Sequence, residues 1–149
     1  MAPLQKGALY SLAIGLVLAI ALIALFVSRG DVTTFDEDLG FRLIVYALWI
    51  GVPLSYLIVV KLTVRKPSQL DERDKLIAAK AVKTQLIAVI FSLIVWTIVL
   101  TEVYSDEGQV PVIFLTLVFI SALVVMTLAQ SLGILIGYWR AGKGWELRE

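Results

Sequence analysis

Residues 112–138 read VIFLTLVFISALVVMTLAQSLGILIGY and contain no charged side chain. An α-helix rises 1.5 Å per residue, so about 20 residues are enough to cross a hydrocarbon core of about 30 Å. Apolar residues surround this helix on all sides instead of forming one stripe, which distinguishes it from an amphipathic surface helix. The stretch therefore predicts a membrane-spanning helix.

Three further apolar runs, residues 7–27, 43–60 and 84–104, have similar character, and the chain is 60% hydrophobic with a mean hydropathy of +0.92. We expect an all-α membrane protein, a four-transmembrane-helix bundle that forms one domain over residues 1–149, because the connecting loops are too short to fold separately. A cleaved signal peptide is the competing interpretation of the first run. Its long apolar stretch and the lack of a clear small-residue cleavage site disfavour that interpretation.

The basic residues are distributed unevenly between the loops. Of the 13 Lys and Arg residues, seven lie between the second and third runs and four lie in the termini. The other two loops are rich in Asp and Glu. Because Lys and Arg near helix ends are biased towards the cytoplasm, this pattern predicts that both termini and the central loop 61–83 are cytoplasmic. The eleven residues are Lys6, Lys61, Arg65, Lys66, Arg73, Lys75, Lys80, Lys83, Arg140, Lys143 and Arg148.

Small residues recur at every fourth position in each run, a spacing that lets neighbouring helices approach closely. This pattern favours a compact bundle. Pro53 removes a backbone donor within the second run and predicts a kink there. The stripes are Gly7, Ser11, Gly15 and Ala19; Ala47, Gly51 and Ser55; Thr84, Ala88 and Ser92; and Ala129, Gly133 and Gly137.

Three polar or amphipathic side chains fall inside the predicted spans, namely Ser55, Trp96 and Gln130. An amide at membrane depth usually bonds to a neighbouring helix, and an aromatic ring inside a helix usually packs. The alternative is that these residues line a small polar cavity or contact a ligand. They are the candidate intramembrane polar sites.

The central segment 65–85, RKPSQLDERDKLIAAKAVKTQ, carries the most specific pattern. Ser68 followed by Asp71 resembles a helix start, and the acids that follow suit the first turns of a helix. With Leu70, Ile77 and Ala81 on one face, the segment predicts a short amphipathic cytoplasmic helix that lies along the inner membrane surface and turns into the third span. The candidate interaction residues are Asp71, Glu72, Arg73, Asp74, Ile77 and Lys80.

The three carboxylates at Asp71, Glu72 and Asp74 raise the alternative of a hard-cation site. A contiguous run on a helix spreads its side chains around the axis, however, and no glycine-containing loop supplies backbone carbonyls. We therefore expect a solvated helix cap with internal charge pairing, and no metal ligand.

Residues 71–81, DERDKLIAAKA, resemble the DERDxxIxxKA segment of a family of small uncharacterised prokaryotic four-helix membrane proteins, in which it also lies between the second and third spans. Ile77, Lys80 and Ala81 match along with the acidic opening. That family often has an aromatic pair next, whereas Val82 to Gln85 follow here. The resemblance implies an inner-membrane location. It also implies at most a regulatory or interaction role, since genes of the family often lie beside small DNA-binding regulators.

Composition narrows the function further. The chain has no Cys and no His, which excludes thiol chemistry and the ordinary zinc sites. No nucleophile has a recognisable base partner, so we predict no enzyme, no catalytic residue and no cofactor. Acids interleaved with the basic residues argue against nucleic-acid binding.

Two functional classes remain. The first is a non-enzymatic component or regulatory subunit whose loop 61–83 contacts a protein partner or anionic lipid. The second is a small homo-oligomeric transporter or channel. Proton-coupled transporters usually carry a charged residue within a span, and the first run has none.

Topology is the first testable expectation. A reporter that is active only outside the cytoplasm should be active when fused near Gly108, and inactive when fused at Ser68 or after Arg140, because of the distribution of basic residues. The reverse pattern of reporter activity would overturn the predicted orientation.

Overall fold

The computed structural model describes residues 2–29, 38–63 and 71–142. Within these residues the chain forms four helices and no strand: α1 (Pro3–Arg29), α2 (Leu39–Thr63), α3 (Glu72–Tyr104) and α4 (Ile113–Gly142). By length and composition, α1, α3 and α4 are each able to cross a membrane. In α2, the apolar stretch Leu39–Ser55 is shorter.

Local signals explain where α3 begins and ends and where α4 begins. Asp71 is the N-cap of α3, and its side chain accepts a hydrogen bond from the backbone N–H of Glu72 at 2.7 Å. Gly108 lies in the turn after α3 with a φ of +65°, a conformation that costs glycine little. Its N–H donates to the carbonyl of Tyr104 at 3.2 Å. In the first turn of α4, the N–H of Phe114 donates to the Pro111 carbonyl.

The predicted separate amphipathic helix before the third span is wrong for the described residues. Residues 72–104 form one continuous α-helix, because the Glu, Lys, Leu and Ala residues at its start are all strong helix formers. The charged residues therefore do not mark a helix boundary. The predicted start at Ser68 and the apolar residue Leu70 lie outside the described residues. α2 likewise continues as one helix through Pro53.

The helix α4 is central, since it packs against α1, α2 and α3. The four helices alternate in direction, as two clusters of buried residues show. One cluster joins the end of α1, the start of α2 and the start of α4, and the other joins the start of α1, the start of α3 and the end of α4. The buried residues of the first are Phe41, Val45, Ile113, Ile120 and Val124, and those of the second, the Ile77 cluster, are Ala8, Ile77, Ala81 and Ile134.

Close approach between helices depends on glycine. A Cβ atom added to Gly133 would lie 3.0 Å from the Cα of Ala81, and one added to Gly137 would lie 2.7 Å from Cγ2 of Ile77. In α1, a Cβ atom at Gly15 would lie 2.8 Å from Leu128. The small-residue stripes predicted in α1 and α4 therefore mark real contacts. At Gly51 in α2, in contrast, an added Cβ atom would meet nothing within 4 Å.

The contrast between these glycines gives the second testable expectation. Gly133→Ala should lower the free energy of unfolding by about 1–3 kcal/mol, because the added methyl group meets the Ala81 backbone, which cannot rotate away. The matched variant Gly51→Ala should raise it by up to about 1 kcal/mol through helix propensity. Denaturant unfolding in detergent, followed by circular dichroism, measures both. Equal responses of the two variants would contradict the proposed packing.

Candidate functional site at the start of α3

The first turns of α3 lie against the end of α4, and this junction holds most of the candidate interaction residues. Ile77 is 1% exposed and packs in the cluster with Ala81 and Ile134. Ile77 thus contacts the end of α4. The exposed side of the same segment carries Arg73 and Lys80.

Asp74 differs from the solvated cap that its sequence context suggested. Its side chain is only 8% exposed and accepts a hydrogen bond from the hydroxyl group of Tyr138 on α4. A buried carboxylate is stable only with such a partner, since desolvation without a hydrogen bond is costly. The expectation of a solvated Asp74 is therefore wrong, because the residue faces α4 and not water.

The three acids at this junction do not converge on one point. Asp71 caps the helix and Glu72 is exposed, whereas Asp74 is directed at Tyr138. Among the described residues there is no group of three or more His, Cys, Asp or Glu side chains that could hold a metal ion. The junction is thus an arrangement of contacts between helices, with charged groups on its outer side.

The intramembrane candidates lie at separate places. The indole N–H of Trp96 donates to the Ser121 hydroxyl at 2.7 Å, and that hydroxyl donates to the Val118 carbonyl at 2.9 Å. Gln130 is nine residues from Ser121 on α4, about 13.5 Å along the helix, so it does not join this pair. Ser55 and Gln130 both have interaction partners of their own.

The remaining hydroxyl groups of α3 and α4 largely bond to their own helices. Thr97 donates to the Leu93 carbonyl at 2.8 Å, and Ser131 donates to the Thr127 carbonyl at 2.8 Å. Such bonds satisfy a polar group without a partner from another helix. The hydroxyl hydrogens of Thr97 and Ser131 are therefore already used within their own helices.

A cleft of about 340 Å³ opens beside the Trp96–Ser121 pair, between α1, α3 and α4. Its wall is almost entirely apolar, and the two polar side chains on it are already bonded to each other. The cleft can accommodate an apolar group but offers no charge to a polar substrate. It is lined by Leu22, Ile23, Phe26, Val27, Trp96, Leu117, Ile120 and Ser121.

Sequence reasoning missed the two partner residues, Tyr138 and Ser121. Tyr138 lies 64 residues from Asp74 in the chain. Ser121 lies 25 residues from Trp96. The only available signal was the small-residue stripe of Gly133 and Gly137, which places the end of α4 against another helix without identifying which one.

No protein-family model, curated protein or solved structure matches the chain. The class that the fold itself defines is an all-α protein with three helices long and apolar enough to cross a membrane.

The Asp74–Tyr138 bond gives the third testable expectation. Tyr138→Phe should lower the free energy of unfolding by about 1–3 kcal/mol, because it leaves a buried carboxylate without its donor. Asp74→Asn should cost less, since an amide oxygen still accepts from the tyrosine. As a control, Tyr10→Phe at a side chain that is 60% exposed should change stability by less than about 0.5 kcal/mol. Equal effects of Tyr138→Phe and Tyr10→Phe in chemical unfolding would contradict this role.

Proposed function

We propose that the protein is a multi-pass integral membrane protein of a prokaryotic inner membrane, with four spans and both termini in the cytoplasm. The large apolar side chains exposed on every helix support membrane insertion, because a soluble monomer rarely exposes such extended apolar surface. No residue of α3 from Val82 to Tyr104 is buried inside the protein. In a bilayer, lipid covers that surface.

The alternating helix directions support the proposed orientation. They place the start of α1, the end of α2, the start of α3 and the end of α4 at one end of the bundle. That end carries the described basic residues Lys6, Lys61, Arg73, Lys75, Lys80, Lys83 and Arg140. The opposite end carries Asp38, Glu102, Asp106 and Glu107, together with Arg29 and Arg42. The fold thus brings together the basic segments that the positive-inside rule assigns to the cytoplasm.

Within that membrane protein, we assign the segment 61–83 the role of an interaction surface of a non-enzymatic component or regulatory subunit. The observation that carries this proposal is the firm attachment of the start of α3 to α4 through Ile77, Ala81 and Asp74. It holds Arg73 and Lys80 exposed on a helix that cannot easily swing away. A pre-organised surface loses less entropy on binding than a free loop does.

A small homo-oligomeric transporter or channel is the alternative, and one observation favours it. α4 is the main partner of α3, and the opposite face of α3 is free to pack against a second copy of the chain. Against it, the Trp96–Ser121 pair and the hydroxyl groups of Thr97 and Ser131 already have hydrogen-bond partners. A conducting path would have to form between copies.

Purification from native membranes in mild detergent distinguishes the two functions. We expect a protein partner or anionic lipid to co-purify with the chain, and we expect Arg73→Gln and Lys80→Gln to weaken that association, since both remove an exposed charge from the interaction surface. Lys75→Gln removes the same charge from a site with Asp71 and Glu72 one turn before it, and it should leave the association intact. A homo-oligomer that is unchanged in all three variants would contradict the component function and support the transporter.

A further inference from the structure

One face of α3 combines basic and apolar side chains in a regular pattern. Arg73, Leu76, Lys80, Lys83 and Ile87 follow one another at spacings of three or four residues, which places them on one side of the helix. All five are exposed. Asp74, Ile77 and Ala81 are buried on the side that faces α4. We call the five exposed residues the outer stripe.

Two lysines of the outer stripe lack neighbouring acids. The residues three or four positions from Lys80 are Leu76, Ile77, Lys83 and Thr84, and those around Lys83 are likewise uncharged except for Lys80. Lys80 and Lys83 therefore repel each other. They have no counter-charge within one helical turn.

Lys75 provides an internal contrast on the same helix. Asp71 and Glu72 lie four and three residues before it, a spacing at which opposite charges on a helix attract each other. Asp74, the other acid of this segment, is buried and bonded to Tyr138. The helix thus compensates the charge of Lys75 but leaves those of Lys80 and Lys83 uncompensated.

The packing of α1, α3 and α4 against one another fixes the depth of Lys80 and Lys83 relative to the apolar zone of the bundle. Ala8, at the start of the uncharged run of α1, belongs to the same buried cluster as Ile77, Ala81 and Ile134. On α4, the apolar stretch continues past Gly137 to Trp139, which is 60% exposed, and Trp favours the membrane interface. Both neighbouring helices therefore enter the apolar zone at the height of Ile77 to Ala81, so Lys80 and Lys83 lie at that boundary.

The length of α3 agrees with this depth. Its 33 residues extend about 50 Å, whereas the hydrocarbon core is about 30 Å thick. Part of α3 must project beyond the core. The flexible stems of Lys80 and Lys83 allow their ammonium groups to reach the headgroup layer.

We propose that Lys80 and Lys83, with Arg73 two turns further out, bind the phosphate groups of anionic phospholipids in the cytoplasmic leaflet. This inference rests on the proposed membrane insertion and deepens the proposed function by naming the ligand. The exposed side chains of Leu76, Leu86 and Ile87 beside the lysines favour lipid over an acidic protein. A phospholipid offers a phosphate group and an acyl chain next to each other, as the outer stripe requires.

The test uses the full chain, purified in mild detergent and incubated with an equimolar mixture of phosphatidylglycerol and phosphatidylcholine. Native mass spectrometry measures the ratio of the two lipids that remain bound. We expect phosphatidylglycerol to be preferred. Lys80→Gln and Lys83→Gln should each reduce that preference about fivefold, the effect of one basic residue near an anionic membrane surface.

Lys75→Gln is the matched control, since it removes one charge from the same helix at a site that already has acidic neighbours. It should leave the preference nearly unchanged. Equal losses in the three variants would overturn the proposal, because they would show a general effect of net charge. A wild-type protein without preference for phosphatidylglycerol would also overturn it, and would leave an acidic protein as the partner of the outer stripe.

Two further measurements are needed. One shows whether the bound phosphate group belongs to a lipid, and the other shows whether a negative result contradicts the lipid proposal or the membrane topology on which it rests. Inorganic phosphate should displace no more phosphatidylglycerol than chloride does at equal ionic strength, and stronger displacement would contradict a lipid ligand.

Because the chain has no native Cys, Ala79→Cys and Gln109→Cys report orientation in intact cells. An impermeant maleimide should label only position 109. The reverse labelling would refute the topology itself, whereas correct labelling without lipid preference would refute the lipid proposal alone.

Discussion

The contact between α3 and α4 at Gly133 and Gly137 is the constraint on which the rest of this structure depends. Without side chains at these positions, the backbone of α4 approaches Ala81 and Ile77 closely enough that even one added carbon atom would overlap them. In a bilayer, burial of apolar surface drives helix association only weakly, because lipid tails are as apolar as leucine. Close packing of this kind then provides much of the specific attraction between the helices.

The hydrogen bond between Asp74 and Tyr138 acts on the same junction at its outer end. Packing at the glycines brings the two helices together, and the bond restricts how they can slide or rotate there, since a buried carboxylate that lost its donor would be destabilised. The first turns of α3 consequently form part of the bundle. Their exposed cations keep a defined position relative to the apolar surface of the helices, which a free loop could not achieve.

Much of the fold is visible in the sequence, because each apolar run must be helical if it enters a bilayer. The predicted spans 7–27, 43–60, 84–104 and 112–138 all fall within or close to the four observed helices. The largest difference is at α3, which begins at Glu72. Hydropathy shows where the apolar part of a chain ends, but it does not show whether the helix continues beyond that point.

The candidate site was predicted less completely, for a different reason. The sequence pattern indicated Arg73 and Lys80 as candidate interaction residues, and both are exposed, but it also assigned Asp74 to solvent. The fate of Asp74 depends on Tyr138, and a pair separated by 64 residues leaves no periodic signal in a single sequence. The capping role of Asp71, in contrast, depends on its immediate neighbour and belongs to the local pattern. Local sequence patterns therefore predict the cap at the start of α3. Which charged residue of α3 is buried depends instead on the packing of α4 against it.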